Sequence, residues 1–119
     1  MFLLFIYRVI LHDNGSLVPS TISAKEYCEE MFYGCISLID APSLASETLV
    51  DECYKYTFQG CTNLKLINVS FKEWGDESKT LKWIDEDTSS GTFTKFSSLS
   101  DIKNDNNIPS NWTISNKTT

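Results

Sequence analysis

The chain has 119 residues, a net charge of −6, 41% hydrophobic residues and 13% aromatic residues. That is one domain with a modest core, too apolar for a disordered chain and too acidic and evenly charged for a nucleic-acid or anionic-membrane binder. The lone histidine, His12, leaves little imidazole chemistry to build on.

In chain order, Met1 to Leu11 is almost wholly apolar but is interrupted by Arg8. It lacks a basic start and a nearby small-residue cleavage site, and it is too short for a transmembrane helix. It reads as a buried strand or an irregular first layer (residues 1–17) rather than an export signal. His12 to Ser16 is a turn around Asn14-Gly15. His12 therefore reads as a solvated turn histidine, not a catalytic one.

The organising feature follows. Glu26 to Leu38 reads EYCEEMFYGCISL, and Glu52 to Leu64 reads ECYKYTFQGCTNL, at an offset of 26 residues without a gap. Glu26/Glu52, Phe32/Phe58, Gly34/Gly60, Cys35/Cys61 and Leu38/Leu64 are identical pairs. A period of this size is the signature of stacked repeats, here over residues 18–71. Ser23 and Glu26 form a capping box, so a short helix is expected from Ala24 to Phe32, ended by Gly34. Cys35 to Ile39 should be a strand, closed by a turn at Pro42. Thr48 should cap a second helix carrying Leu49, Val50, Cys53, Tyr54 and Phe58, ended by Gly60. A longer strand should follow through Leu66, Ile67, Val69 and Phe71.

Beyond Phe71 the identities stop, and residues 72–119 read as a C-terminal cap and tail that covers the last layer. Ser78 should start a helix with Leu81, Trp83 and Ile84. Thr92 to Phe96 and Trp112 to Ile114 should be strands. Ser97 to Ser110 should be an ordered loop.

The cysteine gaps are too wide for a zinc site. Cys35 and Cys61 occupy equivalent positions, so a ladder of buried thiols is expected rather than a disulfide. Asp85-Glu86-Asp87 lacks the spacing of a calcium loop and reads as a solvated acidic turn. The Asn-x-Ser/Thr sequences at Asn68, Asn111 and Asn116 are short matches of little weight alone. No cofactor, no metal and no catalytic set is expected, and a hydrolase is the least favoured class.

Tyr27-Cys28, Met31-Phe32, Gly34-Cys35, Leu38 and Ala41-Pro42-Ser43-Leu44 form one motif; Cys53-Tyr54, Thr57-Phe58, Gly60-Cys61 and Leu64 form its second copy. With Trp83, Gly91-Thr92-Phe93 and Ile108 to Thr113, this pattern resembles the BspA-like leucine-rich repeats of surface proteins. The order of Tyr27-Cys28 is reversed from the family's, and Thr57 replaces its methionine. The resemblance implies an α/β leucine-rich-repeat solenoid of short parallel strands and short helices, with a small irregular cap. It implies a cell-surface or secreted setting and adhesion to a protein or glycan on host or neighbouring cells. The alternative is a passive structural spacer or cap of a larger surface or phage-tail assembly.

Partner contacts are expected where equivalent positions differ between repeats: Glu30/Tyr56, Tyr33/Gln59, Ile36/Thr62 and Ser37/Asn63. Trp74, set between Glu73 and Gly75, is expected as an exposed contact. Trp83 and Trp112 are expected in the core of the cap.

Overall fold

In a computed structural model, the structure describes residues 21–22, 30–49, 53–88 and 90–118. Five short strands run through them: β1 (Thr21–Ile22), β2 (Ser43–Leu44), β3 (Leu66–Asn68), β4 (Thr92–Phe96) and β5 (Thr113–Lys117). All pairings among these strands are parallel, in a two-strand sheet β1-β2 and a three-strand sheet β3-β4-β5. Bridges Asp40↔Leu66 and Leu44↔Val69 carry the pairing from the β2 layer to the β3 layer.

The register follows the sequence period. Leu66 pairs with Thr92 and Asn68 with Thr94, each 26 residues on. Phe58 bridges Ile84 at the same offset. On the turn side, the amides of Phe32 and Gly34 donate to the carbonyls of Thr57 and Gln59, at 3.0 and 2.8 Å. The amides of Tyr56 and Phe58 donate to Leu81 and Trp83 in the same manner, at 3.0 and 2.7 Å. Each layer thus satisfies the backbone of the one before it.

Where the two expected helices reach the described residues, turns stand in their place for that reason. The first lies mainly on residues 23–29, outside the described residues, and its end (30–34) is a turn. For the second, residues 50–52 lie outside the described residues, and 53–57 are turns. Single tight bonds such as Cys35 N–H to Phe32 O (3.0 Å) and Thr57 N–H to Tyr54 O (3.1 Å) close these corners. Amides pledged to the neighbouring layer cannot also build an i→i−4 helix ladder. Moreover, Glu30, Tyr56 and Lys82 have φ of +58°, +56° and +42°, which stops right-handed helix growth. Among the described residues the one helix with named bounds is a 3-10 turn, Glu77–Thr80. Its cap is Asp76, whose carboxylate accepts the Ser78 amide at 2.9 Å; Ser78 is not the cap.

The strand expected at Cys35 to Ile39 is displaced. That stretch turns, and pairing in β2 starts immediately after Pro42. Proline lacks only its own N–H, so residue 43 can still join a ladder. The last strand runs Thr113–Lys117, three residues beyond its expected end. Thr92–Phe96 matches its expected bounds.

Those three left-handed residues are 26 apart. The third belongs to the segment read from sequence as a cap. Lys82, Ile84 and residues 92–94 therefore repeat the backbone places of Tyr56, Phe58 and residues 66–68, although the Gly-Cys corner is lost (Glu86-Asp87 stands there). The final strand pair shortens the offset to 21, with Thr92 opposite Thr113.

The core is built from the same ladder. Phe32 and Phe58 stack at 5.6 Å with 4° between ring planes. Cys35 with Cys61, and Leu38 with Leu64, are buried beside them. Trp83 then closes the column: its ring lies about 6 Å from those of Tyr54, Phe58, Phe71, Trp74 and Phe93. Its indole N–H donates to Asn107 O at 2.7 Å, fastening the 97–110 loop beneath. Trp112 is also buried, as expected for the cap core. The result is a small parallel-sheet globule with few helices.

Candidate functional site

The repeat corners present the candidate contact residues. The first two corners turn at a left-handed residue, then at a glycine, and the side chains between them face either the core or solvent. Tyr33, Ile36 and Ile39 are 45, 51 and 53% exposed, a group of large apolar side chains on one layer. Ile39 was not among the expected contacts, because its place in an apolar run read as strand. In the next layer Thr62 and Asn63 are exposed, as is Ser37 in the first.

The layers are joined at this ridge. The Asn63 side-chain amide donates to Ile36 O at 2.8 Å. Gln59 Nε2 donates to the Asp85 carboxylate at 3.1 Å, and Gly60 N–H donates to the same oxygen at 2.9 Å. Glu30, Tyr56 and Gln59 are half-buried. The Lys55 ammonium lies 5.4 Å from the centre of the Tyr56 ring. Ile36 and Asn63 are thus brought together, while Gln59 is turned toward the third layer.

Trp74 is a correction. It is 7% exposed, its ring meets Phe71 edge-on at 5.3 Å, and its N–H donates to Ser100 O at 2.8 Å. Its flanking residues Glu73 and Gly75 are exposed, and they gave the position a surface character that its own side chain does not have. Removing an indole from water in so aromatic a setting makes it a core residue.

The acidic turn is occupied by the chain itself. Besides Gly60 and Gln59, Asp85 accepts from the Asp87 amide at 2.8 Å through its other oxygen. Among the described residues, no group of three His, Cys, Asp or Glu side chains converges as metal ligands do. Cys35, Cys53 and Cys61 are free thiols and buried, in keeping with a thiol ladder. Cys61 donates to Phe32 O at 2.9 Å, and burial, reinforced by the neighbouring Cys35 and by Asp85, pushes its thiol up to about 12. A thiol held neutral in this way is a poor nucleophile. Cys28 and His12 lie outside the described residues.

A second feature lies at the carboxyl ends of β3, β4 and β5, where sequence reading placed nothing. An open groove of about 520 Å³ is lined by Lys72, Phe96, Ser97, Ser98, Asn116, Lys117 and Thr118. The Lys117 and Lys72 ammonium groups lie 4.5 and 5.2 Å from the centre of the Phe96 ring.

Among the described residues, no helix is long and apolar enough to cross a membrane. Compared with family models, with curated proteins and with solved structures, the chain gives no match.

Proposed function

We propose that the chain is a segment of a BspA-like leucine-rich-repeat solenoid that acts as a non-enzymatic adhesion module at the cell surface. Support for the solenoid comes from the 26-residue register, which continues through Asn68↔Thr94 after the sequence identities end. Support for adhesion comes from one observation: Tyr33, Ile36 and Ile39, close in sequence on one layer, each expose a large apolar side chain. A soluble chain gains nothing in stability from such a group, whereas a protein partner gains contact area from it. The partner is a protein or glycan on a host or neighbouring cell.

The spacer reading keeps one specific support. Asn63 and Gln59 spend polar groups on bonds between layers, which is a structural use.

The test uses beads coated with the full chain and laid on cultured cells. Adhesion should fall several-fold when Tyr33→Ala and Ile36→Ser are combined. Equal adhesion by the variant would refute the ridge as the contact, and no adhesion by the parent chain would favour the spacer.

A further inference from the structure

The groove at the carboxyl ends of the strands has an unusual charge balance for a chain of net charge −6. Among the described residues, two ammonium groups line it and no carboxylate does. The acidic neighbours line no part of it: Glu73 lines an adjoining pocket with Glu47 and Lys79, which shares Lys72 with the groove, and Asp101 pairs with Lys95 at 2.6 Å. Among the described residues, neither Lys72 nor Lys117 forms an ion pair.

Among the described residues, Lys117 is held in place by neutral groups. Its ammonium donates to Asn68 Oδ1 at 2.6 Å and to Ser70 Oγ at 3.4 Å, with the Phe96 ring at its side. Partial burial pushes its pKa below the ordinary lysine value. A cation partly withdrawn from water and met by dipoles and a ring is restrained in position and has no counter-charge among the described residues. An anion arriving at the groove would supply that charge at little reorganisation cost.

The rest of the lining narrows the ligand class. Ser97, Ser98, Asn116 and Thr118 offer hydroxyl and amide groups at an exposed rim. The sheet face leading away from the groove continues this character, with Asn68, Thr94 and Ser115 opposite one another on β3, β4 and β5. Small hydroxyl and amide groups arrayed across parallel strands match a ligand with many hydroxyls of its own. The volume is within the range of small-molecule sites.

We propose that this groove binds an acidic saccharide, whose carboxylate or sulfate group meets Lys72 and Lys117 and whose hydroxyls meet Ser97, Ser98 and Asn116. The proposal extends the adhesion reading and rests on it for its biological setting, but it concerns a different surface from the ridge.

The experiment is a titration of the full chain, followed by amide chemical shifts at constant ionic strength. The probes are glucuronic acid, glucose, sodium sulfate and a glutamate-containing hexapeptide. Glucuronic acid should give saturable shifts at Phe96, Ser97 and Lys117, and glucose should bind at least tenfold more weakly. Lys72 is exposed, so Lys72→Ala should fold normally and weaken glucuronic acid binding about fivefold, the value of one exposed charge contact. Phe96→Leu, which removes the ring that both ammonium groups approach, should weaken it further.

Sulfate binding as tightly as glucuronic acid would reduce the groove to a simple ion site and overturn the saccharide assignment. Tighter binding of the hexapeptide would overturn it in favour of an acidic peptide. Absence of saturable shifts would overturn it outright. The Tyr33→Ala, Ile36→Ser variant should bind glucuronic acid like the parent, so failure of the ridge and failure of the groove are read separately.

Discussion

Gly60 lies directly over Gly34: a Cβ built on Gly60 would come within 3.0 Å of the Gly34 Cα and 3.1 Å of its nitrogen. Both residues have positive φ, +83° and +73°, so each needs glycine for its conformation. Only Gly60 needs it also for the closeness of two backbones. Gly60→Ala should therefore cost about 2–3 kcal/mol, and Gly34→Ala about 1 kcal/mol, since nothing lies within 4 Å of a Cβ there. Urea midpoints of the two variants check the order. Equal losses would mean that the corners do not stack as described.

A second expectation concerns the one buried ammonium among the described residues. Lys95 is 1% exposed, and it donates to Leu99 O at 2.6 Å and to Asn116 Oδ1 at 3.0 Å while pairing with Asp101 at 2.6 Å. These bonds tie the loop after β4 to β5. Asp101 is itself well exposed, so its loss is softened by water. Lys95→Met should cost about 2–3 kcal/mol through stranded carbonyl and amide groups, and Asp101→Asn about 1 kcal/mol. Hydrogen exchange should show the loop amides opening first in both variants.

The repeat was legible because it is written in residues with few substitutes: Gly34/Gly60, Phe32/Phe58 and Cys35/Cys61 carry conformation and core volume together. The third layer was not, because there the same backbone path is held by other means. Trp83 fills the column, and Asp85 reaches back to the Gly60 amide. The second helix was over-read over residues 53–57, since an apolar face signals a helix only if the amides are free to form one. Here they bond to the next layer, a long-range competitor that local pattern does not reveal. Trp74 was misplaced by its neighbours, and the Lys72–Phe96–Lys117 groove was invisible because its members come from three separate strand ends.

The thiols should behave as core groups. Cys35, Cys53 and Cys61 should react with a thiol reagent only as the chain unfolds, at a rate that rises with urea. The raised Cys61 thiol adds a pH dependence. In the unfolded chain the thiol ionises near 9.0, whereas in the folded chain it stays protonated up to about 12. The folded state thus holds the extra proton between those values. Stability present below pH 9.0 should fall as pH rises toward 12, by up to about 1.4 kcal/mol per pH unit from this group. Cys61→Ala should flatten that part of the alkaline limb; an unchanged slope would show that Cys61 does not contribute to it.

The left-handed corners give the last prediction. Lys82 is exposed with φ +42°, and Tyr56 is half-buried with φ +56° beside the Lys55 ammonium. An L-residue in this region costs about 1–2 kcal/mol. Glycine removes that strain but gives back about 0.5–1 kcal/mol of chain entropy. At Lys82 the side chain is in water, and the backbone bond from its amide to Asn106 Oδ1, 3.0 Å, survives the change. Lys82→Gly should therefore stabilise the fold by about 0.5 kcal/mol, a rise of roughly 2–4 °C in Tm. Tyr56→Gly relieves the same strain but removes a partly buried ring, and should be destabilising by about 1 kcal/mol. Thermal melts of the two variants should move in opposite directions. A fall in both would mean that the Lys82 side chain contributes a contact greater than its strain.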